Sequence, residues 1–115
     1  MRIGVGFAVV LLLLATLAEA RTMETYWPVA RVMRTIDHVR VRVGERTVRI
    51  ESDTTLCSGV GRRVKRRGIR MWNRFACTYT VFTNSSVDRD VEFRVHVLGP
   101  RRFVIRDAHW VAATR

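Results

Sequence analysis

The sequence predicts an α+β protein in which one N-terminal helix packs on an antiparallel sheet of about five to six strands, with one disulfide. Two patterns predict this class. Apolar residues recur at helical spacing near residue 30, and runs of alternating apolar and polar residues fill much of the remaining chain. The third observation is a single pair of cysteines, Cys57 and Cys77, in a chain that begins like an exported protein.

Residues 1–20 have the composition of a secretory signal peptide. Arg2 supplies a positive charge, residues 3–17 form an apolar run, and Ala18-Glu19-Ala20 fits the small-x-small cleavage pattern. A retained membrane helix is the alternative, but a span needs about 20 apolar residues and this run is shorter. We therefore expect a secreted or periplasmic protein with one small domain over residues 21–115.

Cys57 and Cys77 are the only cysteines, and the oxidising environment outside the cytosol favours a disulfide between them. Small domains often need such a cross-link, and a closed loop of about 20 residues contributes roughly 3 kcal/mol in the chain-entropy model. A redox-active or metal-binding pair is the alternative. The chain has no Cys-x-x-Cys, and two cysteines with scattered histidines do not complete a four-ligand site, so we expect no metal and no cofactor.

A short helix is predicted over residues 21–37, with Thr25 as a candidate N-cap and Pro28 in the first turn. Its apolar stripe consists of residues at helical spacing, Val29, Val32, Met33 and Ile36. The stripe indicates a face that packs on the core.

Residues 38–50 predict a β-hairpin with Gly44-Glu45 as a two-residue turn of type II′. In that register the valines share one face, and Arg40 lies opposite Arg49 on the other. Opposed arginines are unfavourable unless carboxylates or an anionic partner lie nearby, and Glu51 and Asp53 are candidate carboxylates. The arginine face is therefore either solvated surface or a face that accepts an anion.

The rest of the chain predicts further strands. A short strand ends near Cys57, the chain reverses at Gly59 and Gly61, and residues 62–70 form an exposed loop or a hairpin tip around Arg67-Gly68. A three-strand meander then follows, with strands near residues 75–82, 91–97 and 103–111 and reversals at residues 84–86 and 99–100.

The formal net charge is +11, and its local excess is greatest in residues 62–70, here called the basic loop. The cationic residues of the basic loop are Arg62, Arg63, Lys65, Arg66, Arg67 and Arg70. Such a charge attracts anions, including nucleic acid, anionic lipid, envelope polymers and acidic proteins. Trp72 and Phe75 could stack on bases, but export disfavours a nucleic-acid partner and both residues also fit core packing. A solvated basic surface without a partner is the alternative.

No catalytic residues are predicted. His38, His96 and His109 lie in three different segments, and Ser58 lacks the Gly-x-Ser-x-Gly context of a nucleophile elbow. A row of polar residues shares one face of one predicted strand, Asp90, Glu92, Arg94 and His96. His96 would be the titrating group if the protein were an enzyme.

Cys57-Ser58-Gly59-Val60-Gly61, followed by Phe75-Ala76-Cys77, resembles small exported proteins of GC-rich bacteria, in which a signal peptide precedes Cys-x-Gly-x-Gly and a later Phe-x-Cys. The resemblance covers most of residues 37–111 and implies a disulfide domain without a particular activity. The order of a helix and then a meander is similar in layout to cystatins. The Gln-Val-Gly loop of cystatins is absent, so the layout implies no protease inhibition.

These observations favour a non-catalytic domain that binds an anionic polymer, a membrane surface or an acidic protein through the basic loop. The alternative is a protein–protein module, either an inhibitor or an accessory subunit, that recognises an acidic surface with Trp72 as its apolar anchor. The sequence does not indicate an oligomeric state.

Overall fold

The computed structural model describes residues 25–81 and 89–112. Within these residues one α-helix, α1 (Val29–Ile36), precedes eight strands, and a short 3-10 helix (Ser52–Thr54) lies between the second and third strands. The strands are β1 (Arg40–Val43), β2 (Arg46–Arg49), β3 (Thr55–Gly59), β4 (Arg63–Arg66), β5 (Ile69–Trp72), β6 (Arg74–Val81), β7 (Arg89–Gly99) and β8 (Arg102–Ala112). The predicted signal peptide and the predicted turn at residues 84–86 lie outside the described residues.

The strands form three antiparallel sheets. The largest has the order β3-β6-β7-β8, and the β1–β2 and β4–β5 hairpins each form a two-stranded sheet. The antiparallel α+β prediction is confirmed, but the prediction of one sheet with five or six strands is wrong. The β1–β2 hairpin contacts β8 through side chains, with the Trp110 indole donating to the Val43 carbonyl oxygen at 3.2 Å. The β4–β5 hairpin connects the end of β3 to the start of β6, so neither hairpin extends the main ladder.

Helix α1 is shorter than predicted and begins after Pro28, so Pro28 and not Thr25 occupies the N-cap position. Pro28 has the extended angles φ −72° and ψ 157°, and its carbonyl oxygen accepts the first hydrogen bonds of the helix, from the amides of residues 31 and 32. Val32 and Ile36 are completely buried, which confirms the predicted apolar stripe at these two positions. No helix among residues 25–81 and 89–112 is both long enough and apolar enough to cross a bilayer.

The β1–β2 hairpin has the predicted register, with Val41 opposite Val48 and Arg40 opposite Arg49. Gly44 has φ 62°, as the first central residue of a type II′ turn requires. The Glu51 carboxylate lies 3.6 Å from the Arg49 guanidinium, which partly offsets the repulsion across the strands.

Strands β6 and β7 supply most of the core and alternate as predicted. Their buried residues are Phe75, Cys77, Tyr79, Val91, Phe93, Val95 and Val97. Val32 and Ile36 of α1 belong to the same buried cluster. The helix therefore packs on one face of the four-stranded sheet and leaves the other face to solvent.

Strand β8 contains a bulge that changes which residues face the core. The pairing with β7 shifts between Glu92 and Arg94, and Asp107 has φ 58°. Phe103 and Ile105 pack against the core before the bulge, and Ala108 and Trp110 do so after it. One extra residue moves the inward positions from odd to even numbers.

Candidate functional site

The basic loop folds as the β4–β5 hairpin, with Arg67 and Gly68 as its two turn residues. These residues have φ angles of 52° and 79°, the left-handed values of a type I′ turn, whose twist matches that of the flanking strands. Of the two predicted forms, an exposed loop and a hairpin tip, the structure has the hairpin.

All six cationic residues of the basic loop are exposed. None of them forms a salt bridge with another residue in the described part of the chain. Residues 61–74 contain no carboxylate, and Lys65 lies directly opposite Arg70 across the strand pair. Like charges in this position repel each other, so the hairpin carries a concentrated positive charge that the described protein does not compensate.

The strand pairing places the side chains of the hairpin on two different faces. We call one the cationic face, which carries Arg63, Lys65, Arg70 and Trp72. We call the other the apolar face, which carries Val64, Ile69, Met71 and Arg66. Ile69 is 54% exposed, and the three apolar residues of this face do not pack against the core. The hairpin is therefore amphipathic.

Trp72 anchors the base of the hairpin. A Cβ atom built on Gly59 would lie 2.0 Å from Trp72 Cδ2, so the indole ring occupies the space that any larger residue would need. Trp27 and Trp72 exchange two backbone hydrogen bonds, of 2.9 and 3.0 Å. The Trp72 ring also meets the edge of Phe75, with 6.2 Å between ring centroids.

These contacts restrict what the two aromatic residues can do. Phe75 is completely buried, so the hypothesis that it stacks on a base is wrong. A partner that used Trp72 as its anchor would have to displace the ring from Gly59 and Phe75. Within the Cys-x-Gly-x-Gly sequence, Gly59 therefore leaves the space that the Trp72 ring occupies.

Cys57 and Cys77 form the predicted disulfide. The two residues are directly opposite each other in the pairing of β3 with β6, and their Cα atoms are 4.1 Å apart. The bridge lies two residues before Gly59 and joins the two strands from which the hairpin extends. The disulfide thus holds the base of the basic loop.

A second polar arrangement lies on the outer face of the four-stranded sheet. The His109 Nε2 atom is 3.4 Å from a Glu92 carboxylate oxygen, and His109 Nδ1 donates to the Asp107 carbonyl oxygen at 2.7 Å. A depression of about 560 Å³ adjoins these residues, with small side chains such as Ser58 and Ala76 in its lining. Both side chains are half-exposed, and an ion pair in such a position is worth at most about 1 kcal/mol.

The sequence did not predict this pair, because only the bulge at Asp107 places His109 opposite Glu92. The predicted row on β7 is confirmed in that its four residues share one face of the strand. His96 lies opposite Arg74 and Val104. It is therefore outside the pair formed by His109.

Three groups that can bind a metal meet where α1 leads into β1. The ligand atoms of Asp37, His38 and Glu51 lie within 4.8 Å of one another. The His38 Nε2 atom is 3.6 Å from Asp37 and 3.3 Å from Glu51. The Ser52 amide donates to Asp37 Oδ1 at 3.0 Å, and this hydrogen bond lowers the pKa of Asp37. The three groups are partly exposed, and His38 lies within ion-pair distance of both carboxylates.

No family model, curated protein or solved structure matches this chain. The resemblance to small exported proteins through Cys-x-Gly-x-Gly therefore stays a prediction.

Proposed function

We propose that the protein is an exported, non-catalytic binding protein that attaches to an anionic partner through the β4–β5 hairpin. The observation that carries the proposal is the set of six exposed cationic side chains, five on one two-stranded hairpin and Arg62 directly before it, with no carboxylate among residues 61–74. An anionic partner would relieve the repulsion between neighbours such as Lys65 and Arg70.

The way the hairpin is held supports the same role. The disulfide and the seated Trp72 fix the base of the hairpin, so its cationic side chains are presented on an ordered strand pair. Less backbone entropy is then lost on binding than for a free loop of the same composition. Exposed cations also attract a distant anion before contact.

The test replaces all six cationic residues of the basic loop with Ser and measures binding to heparin and to vesicles containing phosphatidylglycerol. Each cation near an anionic surface contributes about 1 kcal/mol. We therefore expect the variant to lose at least about a hundredfold in affinity, and the affinity of the unaltered protein to fall steeply with salt.

The matched control removes six other exposed arginines, so that both variants have the same net charge. These residues are Arg34, Arg40, Arg89, Arg94, Arg102 and Arg106. If the control variant loses as much affinity as the hairpin variant, the attraction belongs to the whole protein and the assignment to the hairpin is wrong. Mass spectrometry of the exported protein tests the other part of the proposal, since processing after Ala20 predicts an N-terminus at Arg21.

A further inference from the structure

We propose that the partner is an anionic lipid surface, and that the hairpin lies in the bilayer interface with its apolar face toward the acyl chains. This inference rests on the proposed function and names the partner of the same site. The two faces of the hairpin match the two layers of such an interface, lipid phosphates and hydrocarbon.

The apolar face is continuous and points away from the protein core. Val64 lies directly opposite Met71, and Ile69 is two residues from Met71 on the same strand, so the three side chains are neighbours. Trp72 belongs to the cationic face and packs beside the core at the base of the hairpin. The opposite face is therefore directed outward, and an outward group of apolar side chains is typical of a contact surface.

Charge alone does not distinguish a membrane from a soluble polyanion, but the apolar face does. A sulfated or phosphorylated polymer offers the six cations as many anionic groups as a bilayer does. It offers no apolar phase to Ile69, which is 54% exposed, or to the exposed parts of the half-buried Val64 and Met71. Transfer of these side chains out of water is favourable only where hydrocarbon is available.

The geometry of the hairpin fits an interfacial position. An amphipathic segment lies in the interface with its apolar face about 5–10 Å into the boundary between headgroups and acyl chains. The side chains of one hairpin face extend over a similar depth. Lys65 and Arg70 on the cationic face then lie at the level of the phosphates, and the long side chain of Arg66 can extend from the apolar face to the same level.

The experiment compares vesicles of phosphatidylcholine and phosphatidylglycerol with heparin, which carries charge without hydrocarbon. The informative variant combines Ile69→Ser with Met71→Ser, and Ile69→Ser alone serves if the double variant is unstable in urea. The matched control is Leu56→Ser, because Leu56 is 81% exposed and lies on β3 in the main sheet. We expect the double variant to lose roughly tenfold in vesicle affinity and to keep its heparin affinity. The control should bind both probes as the unaltered protein does.

The possible outcomes separate the two proposals. If the double variant binds vesicles as tightly as the unaltered protein, insertion is refuted and attachment through charge stands. If the unaltered protein binds heparin but no anionic vesicle, the lipid partner is likewise refuted. If it binds neither probe, the proposed function itself fails.

Discussion

Replacement of Gly59 by Ala tests whether the seat of Trp72 holds the base of the hairpin. The new Cβ atom would lie 2.0, 2.2 and 2.3 Å from Trp72 Cδ2, Cε2 and Cγ. Carbon atoms in contact are about 3.5–4.0 Å apart, so the indole ring has to move by roughly 1.5 Å. Overpacking of this kind costs about 1–3 kcal/mol, and the weakened aromatic contact with Phe75 adds about 0.5–1.5 kcal/mol.

We therefore expect Gly59→Ala to lower the free energy of unfolding by about 2–4 kcal/mol, a large part of the roughly 5–15 kcal/mol typical of a small domain. Urea unfolding followed by tryptophan fluorescence measures this difference. Gly99→Ala is the matched control, because its Cβ would meet only Arg102 Cβ at an ordinary 3.9 Å. At neither glycine is φ positive, so the two variants differ in the contact and not in backbone strain.

A double-mutant cycle removes the remaining ambiguity. Trp72→Ala removes the ring that lies against Gly59. In that background, Gly59→Ala should change the free energy of unfolding very little. Two results would contradict the role of Trp72. One is a loss of unfolding free energy in Gly59→Ala as small as that in Gly99→Ala, and the other is an equal loss in the presence and absence of the indole ring.

Two further predictions concern the disulfide and the core. The double variant Cys57→Ala with Cys77→Ala should lose roughly 2–4 kcal/mol of stability in urea, and reductant should destabilise the unaltered protein but not this variant. Burial raises the pKa of the Tyr79 phenol above its ordinary value of 10.0. A raised folded-state pKa means that stability is intact below pH 10.0 and is lost as the pH rises through the folded value. Thermal unfolding of Tyr79→Phe should show less of this alkaline loss, and an identical loss would contradict the explanation.

Some elements could be predicted from the sequence because one local rule determines them. Alternation with a period of two, together with a glycine in the turn, is enough to set the register of β1–β2. The alternation of apolar and polar residues from Val91 to Val97 predicts the buried face of β7 in the same way. The six cationic residues of the basic loop are identified directly from the sequence of residues 62–70, and their charge predicts that they are exposed.

Other features depend on contacts between distant parts of the chain. The bulge at Asp107 alters the inward positions of β8, and nothing in the local alternation marks it. Helix α1 starts late because Trp27 pairs with Trp72, a residue 45 positions away. The sequence alone does not predict the apolar face of the hairpin. Val64, Ile69 and Met71 are separated by arginines along the chain, and only the pairing of β4 with β5 makes them neighbours.

The bulge in β8 has a consequence for how copies of this protein behave in solution. Strand β8 is eleven residues long and forms one edge of the main sheet, and a long open edge can recruit a strand from another molecule. Asp107 interrupts the regular row of amides and carbonyls along that edge. The β1–β2 hairpin lies against the same strand, fixed by the hydrogen bond from Trp110 to Val43. The longest edge in the described structure is thus divided and partly covered, which disfavours aggregation through strand addition.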